Sequence, residues 1–145
     1  MSFTESIVTA GLTTGLGLIA FVLGQFAIKL VVEPIQEQKR VVGNVAHALI
    51  YYRNVGSSKP TGPEPERVAE ARRTYRDLAA RLRTNLRVVP FYEVFARLQF
   101  VLPREQVRQA STALIGLANT VQKGAAADDV NRYRWTVEKS LGIDR

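Results

Sequence analysis

An uncharged stretch of 23 residues, from Ser6 to Ile28, constrains this chain more than any other feature of its sequence. At a rise of about 1.5 Å per residue, a helix of that length crosses a hydrocarbon core of about 30 Å. A cleavable signal would need a basic start and a shorter apolar core, whereas residues 1–5 contain neither Lys nor Arg. We therefore expect a permanent transmembrane helix over residues 6–32, with Lys29 extending back to the headgroups.

The basic residues are distributed very unevenly along the chain. All 20 Lys and Arg residues, 15 of them Arg, lie at or after Lys29, and the formal net charge is +7. Because basic segments stay in the cytoplasm during insertion, residues 1–5 should lie outside and the C-terminal part inside. A surplus of Arg over Lys favours bidentate recognition of phosphate or carboxylate groups.

Small side chains recur on one face of the predicted span at alternating intervals of four and three residues. Such a seam lets helix backbones approach each other in lipid, so we expect self-association. Gln25, the only amide in the span, lies on a different face; it could line a pore or form an interhelical hydrogen bond, and the sequence leaves both open. The seam consists of Ser6, Ala10, Thr13, Gly17, Ala20, Gly24 and Ala27. The candidate pore or interhelical residues are Thr14, Gly17, Ala20, Phe21, Gly24 and Gln25.

The periodicity of the apolar residues after the span is typical of helices, and no segment alternates with a period of two. Glu33 and Pro34 should end or kink the span and begin a juxtamembrane amphipathic helix over residues 33–55, which we expect to continue an oligomer. Residues 56–63 are rich in Gly, Pro and Ser and predict a loop, and residues 64–145 an Arg-rich helical domain. The apolar segment 91–100 is expected to form the centre of its core. The predicted fold class is therefore all-α.

Arg residues alternate with aromatic residues at three places in the C-terminal part, at 51–53, 72–76 and 132–135. Guanidinium groups hold phosphates while rings stack on bases, so this pattern favours a nucleotide or a short single-stranded DNA or RNA as ligand. Two alternatives to nucleotide binding remain. Tyr75 and Tyr133 fall on predicted core faces, where their rings would pack in the interior instead of stacking on bases. The basic residues could also dock the domain on anionic lipid. The candidate ligand-binding residues are Arg72, Arg73, Arg76, Arg81, Arg83, Arg87, Arg134 and Trp135, in which Arg81, Arg83 and Arg87 form a run without intervening acids.

Residues that could support catalysis are few. The chain has no cysteine and one histidine, His47, which excludes thiolate chemistry and argues against a histidine-based metal site. The carboxylate pairs at 64 and 66 and at 128 and 129 fall at predicted helix starts, where acids favourably meet the helix dipole. With no P-loop and no serine elbow, we expect no catalytic residue, metal or cofactor.

The arrangement of span, juxtamembrane helix and Arg-rich domain resembles the small membrane effectors of bacterial antiphage defence, in particular the channel effector of the Hailong system. The likeness is one of layout and assigns no residue a role. It implies a tetrameric ion channel in the bacterial inner membrane, whose basic domain binds short DNA oligomers made by a partner enzyme. The competing hypothesis is a non-channel scaffold, anchored in the membrane, that docks a partner protein or anionic lipid.

Overall fold

The computed structural model describes residues 3–55, 65–123 and 126–143, and within these ranges the chain is all-α, with no strand. It begins with α1 (Phe3–Ala27), which continues through a π-helical segment (Ile28–Val32) into α2 (Glu33–Tyr51). By length and composition, this continuous helix contains one stretch that could cross a membrane. The predicted loop over residues 56–63 lies outside the described residues.

The helix does not end at Pro34, where the sequence predicts a boundary or a kink. Proline lacks the N–H that an α-helix needs and normally disturbs the ladder there. The disturbance is accommodated just upstream, where the N–H of Glu33 donates to the carbonyl of Ile28, five residues back. A π turn of this kind lets the helix pass a local irregularity without a break. From Phe3 to Tyr51 the helix therefore extends for about 70 Å.

Four helices then pack as an antiparallel bundle: α2, α3 (Pro65–Val88), α5 (Arg104–Lys123) and α6 (Ala127–Leu141). The hydroxyls of Tyr52 and Thr74 lie 3.4 Å apart, which joins the end of α2 to the middle of α3. Ser111 on α5 donates to the carbonyl of Ala79 on α3 at 3.0 Å. The apolar face of α2 is thus buried in its own chain, where the sequence suggested that it would continue an oligomer. Its buried side chains are Gln38, Val41, Val45, Ala48 and Leu49.

The core lies between these four helices, and each contributes aliphatic side chains at helical spacing. Among the largest fully buried side chains are Tyr75, Leu82, Leu114, Leu117 and Val137. Tyr75 therefore belongs to the core, as the sequence predicts.

Segment 91–100 is not the centre of the core, and that expectation was wrong. Its helix, α4 (Tyr92–Arg97), is only six residues long and follows Phe91 in the left-handed region, at φ 49°. A second left-handed residue, Gln99 at φ 61°, follows it. So short a helix can bury only one face, and Tyr92 alone is fully buried while Phe91 remains 80% exposed.

Candidate anion-binding face

Four arginines of α3 lie on one face of that helix. Arg72, Arg76, Arg83 and Arg87 are separated by four, seven and four residues, which brings each back to nearly the same side at 3.6 residues per turn. The row borders the apolar face of α3, next to the buried residues Ala79 and Leu86, on the side where α5 packs. Arg76, Arg83 and Arg87 are exposed and Arg72 is half-buried.

Two of these arginines are held by α5. Arg76 donates to the amide oxygen of Asn119 at 3.0 Å, and Arg83 to the hydroxyl of Thr112 at 3.5 Å. These two contacts fix the register of the antiparallel helices. One turn toward the C-terminus of α3 corresponds to one turn toward the N-terminus of α5, and the residues reached in this way lie side by side. Arg87 then lies level with Arg108.

The same register, taken in the other direction, places Arg72 level with Lys123. The surface formed where α3 and α5 meet, called here the basic face, consists of Arg72, Arg76, Arg83, Arg87, Arg108 and Lys123. Its length from Arg72 to Arg87 is about 22 Å.

No carboxylate pairs with the basic face in the part of the chain that the structure describes. The ion pairs in that part lie elsewhere: Arg40–Glu37, Arg81–Asp77, Arg104–Glu93 and Arg132–Asp129. Arg76 and Arg83 are held by neutral groups, which orient a guanidinium without cancelling its charge. The basic face therefore presents uncompensated cations to solvent, the arrangement that binds phosphate groups.

Two predicted ligand residues of α3 lie off the basic face. Arg81 pairs with Asp77 at 2.8 Å, so it is not the unpaired cation that an acid-free run suggested. The spacing of four residues is a standard ion-pair distance on a helix. Arg73 and Arg81 border a groove between α2 and α3 that also contains Glu70, a mixed-charge surface.

The remaining two predicted residues, Arg134 and Trp135, lie on α6 rather than on α3 or α5. Arg134 donates to the carbonyl of Arg53 at 3.1 Å and so ties α6 to the end of α2. Trp135 is 55% exposed, and the ammonium of Lys139 lies 4.6 Å from its ring centre. Neither ring nor guanidinium joins the arginines of α3, so the structure does not form the combined Arg and Trp site that the sequence predicts.

Arg108 and Lys123 are the members of the basic face that sequence reasoning missed. Both occur on α5 at outward positions, but nothing in the sequence states how α5 lies against α3. Only an estimate of the α3–α5 register, made from the apolar faces of both helices, could have placed these two residues beside the arginines of α3.

The candidate residues of the span are all exposed: Thr14, Gly17, Ala20, Phe21, Gly24 and Gln25. The hydroxyl of Thr14 donates to the carbonyl of Ala10 at 2.9 Å, so its polar group is satisfied within the helix. A side chain added at Gly17 or Gly24 would meet nothing within 4 Å. Nothing else in the described chain covers the small-residue seam between Ala10 and Ala27, which is therefore free for lipid or for another helix.

Within the described ranges, no cluster of three or more His, Cys, Asp or Glu side chains could hold a metal ion. No family model, curated protein or solved structure matches this chain.

Proposed function

We propose that the chain is an oligomeric single-span membrane protein whose cytoplasmic bundle binds a short nucleic-acid strand along the basic face. The observation that carries the proposal is the basic face itself, six cations of α3 and α5 over a length of about 22 Å, without a paired carboxylate among the described residues. Localisation in a bacterial inner membrane and a role as an antiphage effector follow the resemblance in layout. A partner enzyme would supply the oligonucleotide.

The shape of the basic face favours a strand over a single nucleotide. The phosphates of one duplex strand are about 3.4 Å apart along the helix axis, and those of an extended single strand are farther apart, so about 22 Å spans several phosphates of a strand and more than one mononucleotide offers. A mononucleotide would instead need an enclosed pocket with a few convergent polar groups, and the basic face is an open surface. Contacts to phosphates position a strand without reading its bases, so binding should depend little on sequence.

The membrane part of the proposal depends on charge and on small residues. Every Lys and Arg lies at or beyond Lys29, which directs the bundle to the cytoplasm. Copies associate through the seam at Gly17, Ala20 and Gly24, and Gln25 and Thr14 lie between helices or along an ion pathway. Because one continuous helix joins the span to the bundle, a shift of the bundle on ligand binding reaches the span directly.

A membrane-anchored scaffold is the second candidate function. A cleft of about 1010 Å³ lies between α2, the connection from α4 to α5 and the end of α6. Trp135 and Phe100 line it, together with Lys39 and Glu138. An exposed aromatic cleft with both signs of charge could hold a segment of a partner protein.

The test measures binding of a labelled 12-nucleotide single strand by fluorescence anisotropy, with the full chain in detergent at several salt concentrations. The double substitution Arg76→Glu with Arg83→Glu should abolish measurable binding at low salt. Replacing the same two residues by Gln should reduce the slope of log K against log salt by about 1.4, since each lost contact to a single strand contributes about 0.7.

The matched control is Arg67→Glu with Arg132→Glu, which makes the same change in net charge at two exposed positions off the basic face. The control should keep most of the affinity. An equal loss in both variants would mean that net charge alone attracts the strand. Absence of binding by the unmodified chain would remove the nucleic-acid proposal and favour the scaffold.

A further inference from the structure

Apolar side chains are exposed around α4 at a density found nowhere else in the described part of the bundle. Phe91 is 80% exposed, Val94 52%, Leu98 58% and Phe100 52%. These four residues are called here the apolar patch. Exposed apolar surface gathered in one place marks a site of contact with a partner or a membrane.

The apolar patch lies at the end of the bundle nearest the span. The Tyr52–Thr74 contact sets the register of α2 and α3, and moving fourteen residues along each helix brings Val88 level with Gln38. The side chain of Gln38 in turn donates to the hydroxyl of Tyr92 on α4 at 2.8 Å. Gln38 follows Val32 by six residues, or about 9 Å of helix. Two independent contacts therefore place α4 within one or two helical turns of the apolar stretch.

A bilayer whose hydrocarbon core ends at Val32 brings its inner headgroup layer to within about 2–4 Å of this level. That layer is about 5–7 Å thick on each side of the hydrocarbon core, and interfacial apolar segments bury about 5–10 Å into its boundary. Aromatic rings such as those of Phe91 and Phe100 commonly occupy this zone with aliphatic neighbours. The distance is thus right for contact between the apolar patch and lipid.

The charges beside the apolar patch also suit lipid. Arg87 and Arg97 are exposed at its margins, and the one nearby acid on α4, Glu93, is paired with Arg104 at 2.6 Å. Exposed cations beside an apolar surface attract anionic headgroups. A second copy of the same patch would instead bring its own Arg87 and Arg97 against these cations.

We propose that the apolar patch inserts into the inner headgroup region and holds the bundle against the membrane as a second anchor. This inference relies on the proposed membrane span, but not on nucleic-acid binding. It also restricts the orientation of the basic face relative to the bilayer, because a single span can tilt or turn in the bilayer together with the bundle, whereas a second attachment opposes that motion.

The experiment uses the full chain in vesicles that contain anionic lipid, with bromine atoms at a shallow or a deep position of the acyl chain. In a Trp135→Phe background, three variants each carry one tryptophan: Phe91→Trp in the apolar patch, Phe21→Trp in the span and Ile50→Trp as control. Ile50 is 75% exposed, close to the value of Phe91, but lies twelve residues beyond Gln38. Quenching of tryptophan fluorescence by bromine reports contact with lipid.

The Phe91→Trp variant should lose several-fold of its emission with shallow bromine, whereas the Ile50→Trp variant should lose almost none. Quenching of the Phe21→Trp variant by deep bromine shows that the span is inserted. Quenching in the span without quenching at position 91 overturns the second anchor and leaves the span in place. If emission at position 91 responds only to the protein-to-lipid ratio, another copy covers the patch and the inference fails. No quenching in the span overturns the membrane proposal itself.

Discussion

At the scale of single residues, two glycines of the bundle have opposite surroundings. A Cβ added at Gly116 on α5 would lie 2.5 Å from Cε1 of Tyr133 on α6, too close for any real side chain. A Cβ added at Gly43 on α2 would meet nothing within 4 Å, and Gly43 is exposed. Gly116 is therefore required for the approach of two helices, whereas Gly43 only lowers the helix propensity of α2.

The substitutions Gly116→Ala and Gly43→Ala should consequently change stability in opposite directions. The first forces Tyr133 out of its position and should lower the free energy of unfolding by about 1–3 kcal/mol. The second removes backbone freedom from the unfolded chain and should raise it by about 0.5–1 kcal/mol. Urea unfolding followed by circular dichroism, in detergent, measures both. A change of the same sign in the two variants would contradict the packing described for α5 and α6.

At this scale the sequence predicts the burial of residues on regular apolar faces. It does not predict side-chain positions that depend on contacts with residues elsewhere in the chain. The position of Tyr75 on an apolar face predicts a core residue, and Tyr75 is 1% exposed. Arg81 was grouped by its neighbours along the chain, although the pairing partner Asp77 lies one helical turn away. The positions of Arg108 and Lys123 depend on the register of α5 against α3, which no local pattern encodes.

At the scale of helices, three elements converge on one phenol. The ring of Tyr75 on α3 meets that of Tyr52, the residue that follows α2, edge to face, with centres 5.8 Å apart. Burial raises the pKa of Tyr75 to about 12, and nearby Arg134 on α6 acts in the opposite direction. In the unfolded chain the same group would ionise near its ordinary value of about 10. Folding therefore opposes ionisation of Tyr75 in this pH range.

Stability should accordingly fall as the pH rises from about 10 to about 12. Below pH 10 the phenol is protonated in both the folded and the unfolded state, and the full stability is present. Above pH 10 the phenol ionises first in the unfolded chain, which lowers the free energy of unfolding. Tyr75→Phe removes this contribution, so the variant should lose less stability than the parent over the same interval. Urea unfolding at several pH values tests the difference, and identical slopes for variant and parent would contradict it.

The short helix α4 shows why some elements could not be predicted. Proline at 90 and 103 correctly bounded an apolar segment, and its composition suggested a core position. Its conformation depends on left-handed backbone at Phe91 and Gln99, which non-glycine residues rarely adopt and which sequence patterns do not reveal. The long helices were predictable because ten or more residues repeat the same apolar period. A six-residue helix offers too few repeats for such a signal.

At the scale of the whole molecule, the span offers the same free surface on every side, and only its chemistry distinguishes one face from another. Gly17 and Gly24 belong to the small-residue seam, whereas Gly11 and Gly15 lie on the opposite face. A Cβ at any of the four meets nothing within 4 Å in a single chain. Any difference in the effect of substitutions at these four glycines must therefore come from contacts between chains.

Gly17→Leu with Gly24→Leu should convert the proposed oligomer into smaller species, because larger side chains keep the helix backbones apart. Gly11→Leu with Gly15→Leu adds the same volume on the other face and should leave the assembly intact. Light scattering of the purified chain in detergent gives the mass of each. Equal masses for the two double variants would show that the seam does not hold copies together.

The π-helical segment between the span and the bundle has a mechanical consequence. A π turn contains about one residue more than an α turn, and neighbouring residues are offset by about 100° around the axis. If the segment over Ile28–Val32 relaxed to regular α geometry, everything before it would turn by roughly that angle relative to everything after it. Gln25 would then point toward a different neighbour while the hydrogen-bond ladder stayed nearly complete. The π-helical segment would therefore act as a swivel between the apolar stretch and the bundle, through which a small rearrangement of the bundle would turn the apolar stretch by a large angle.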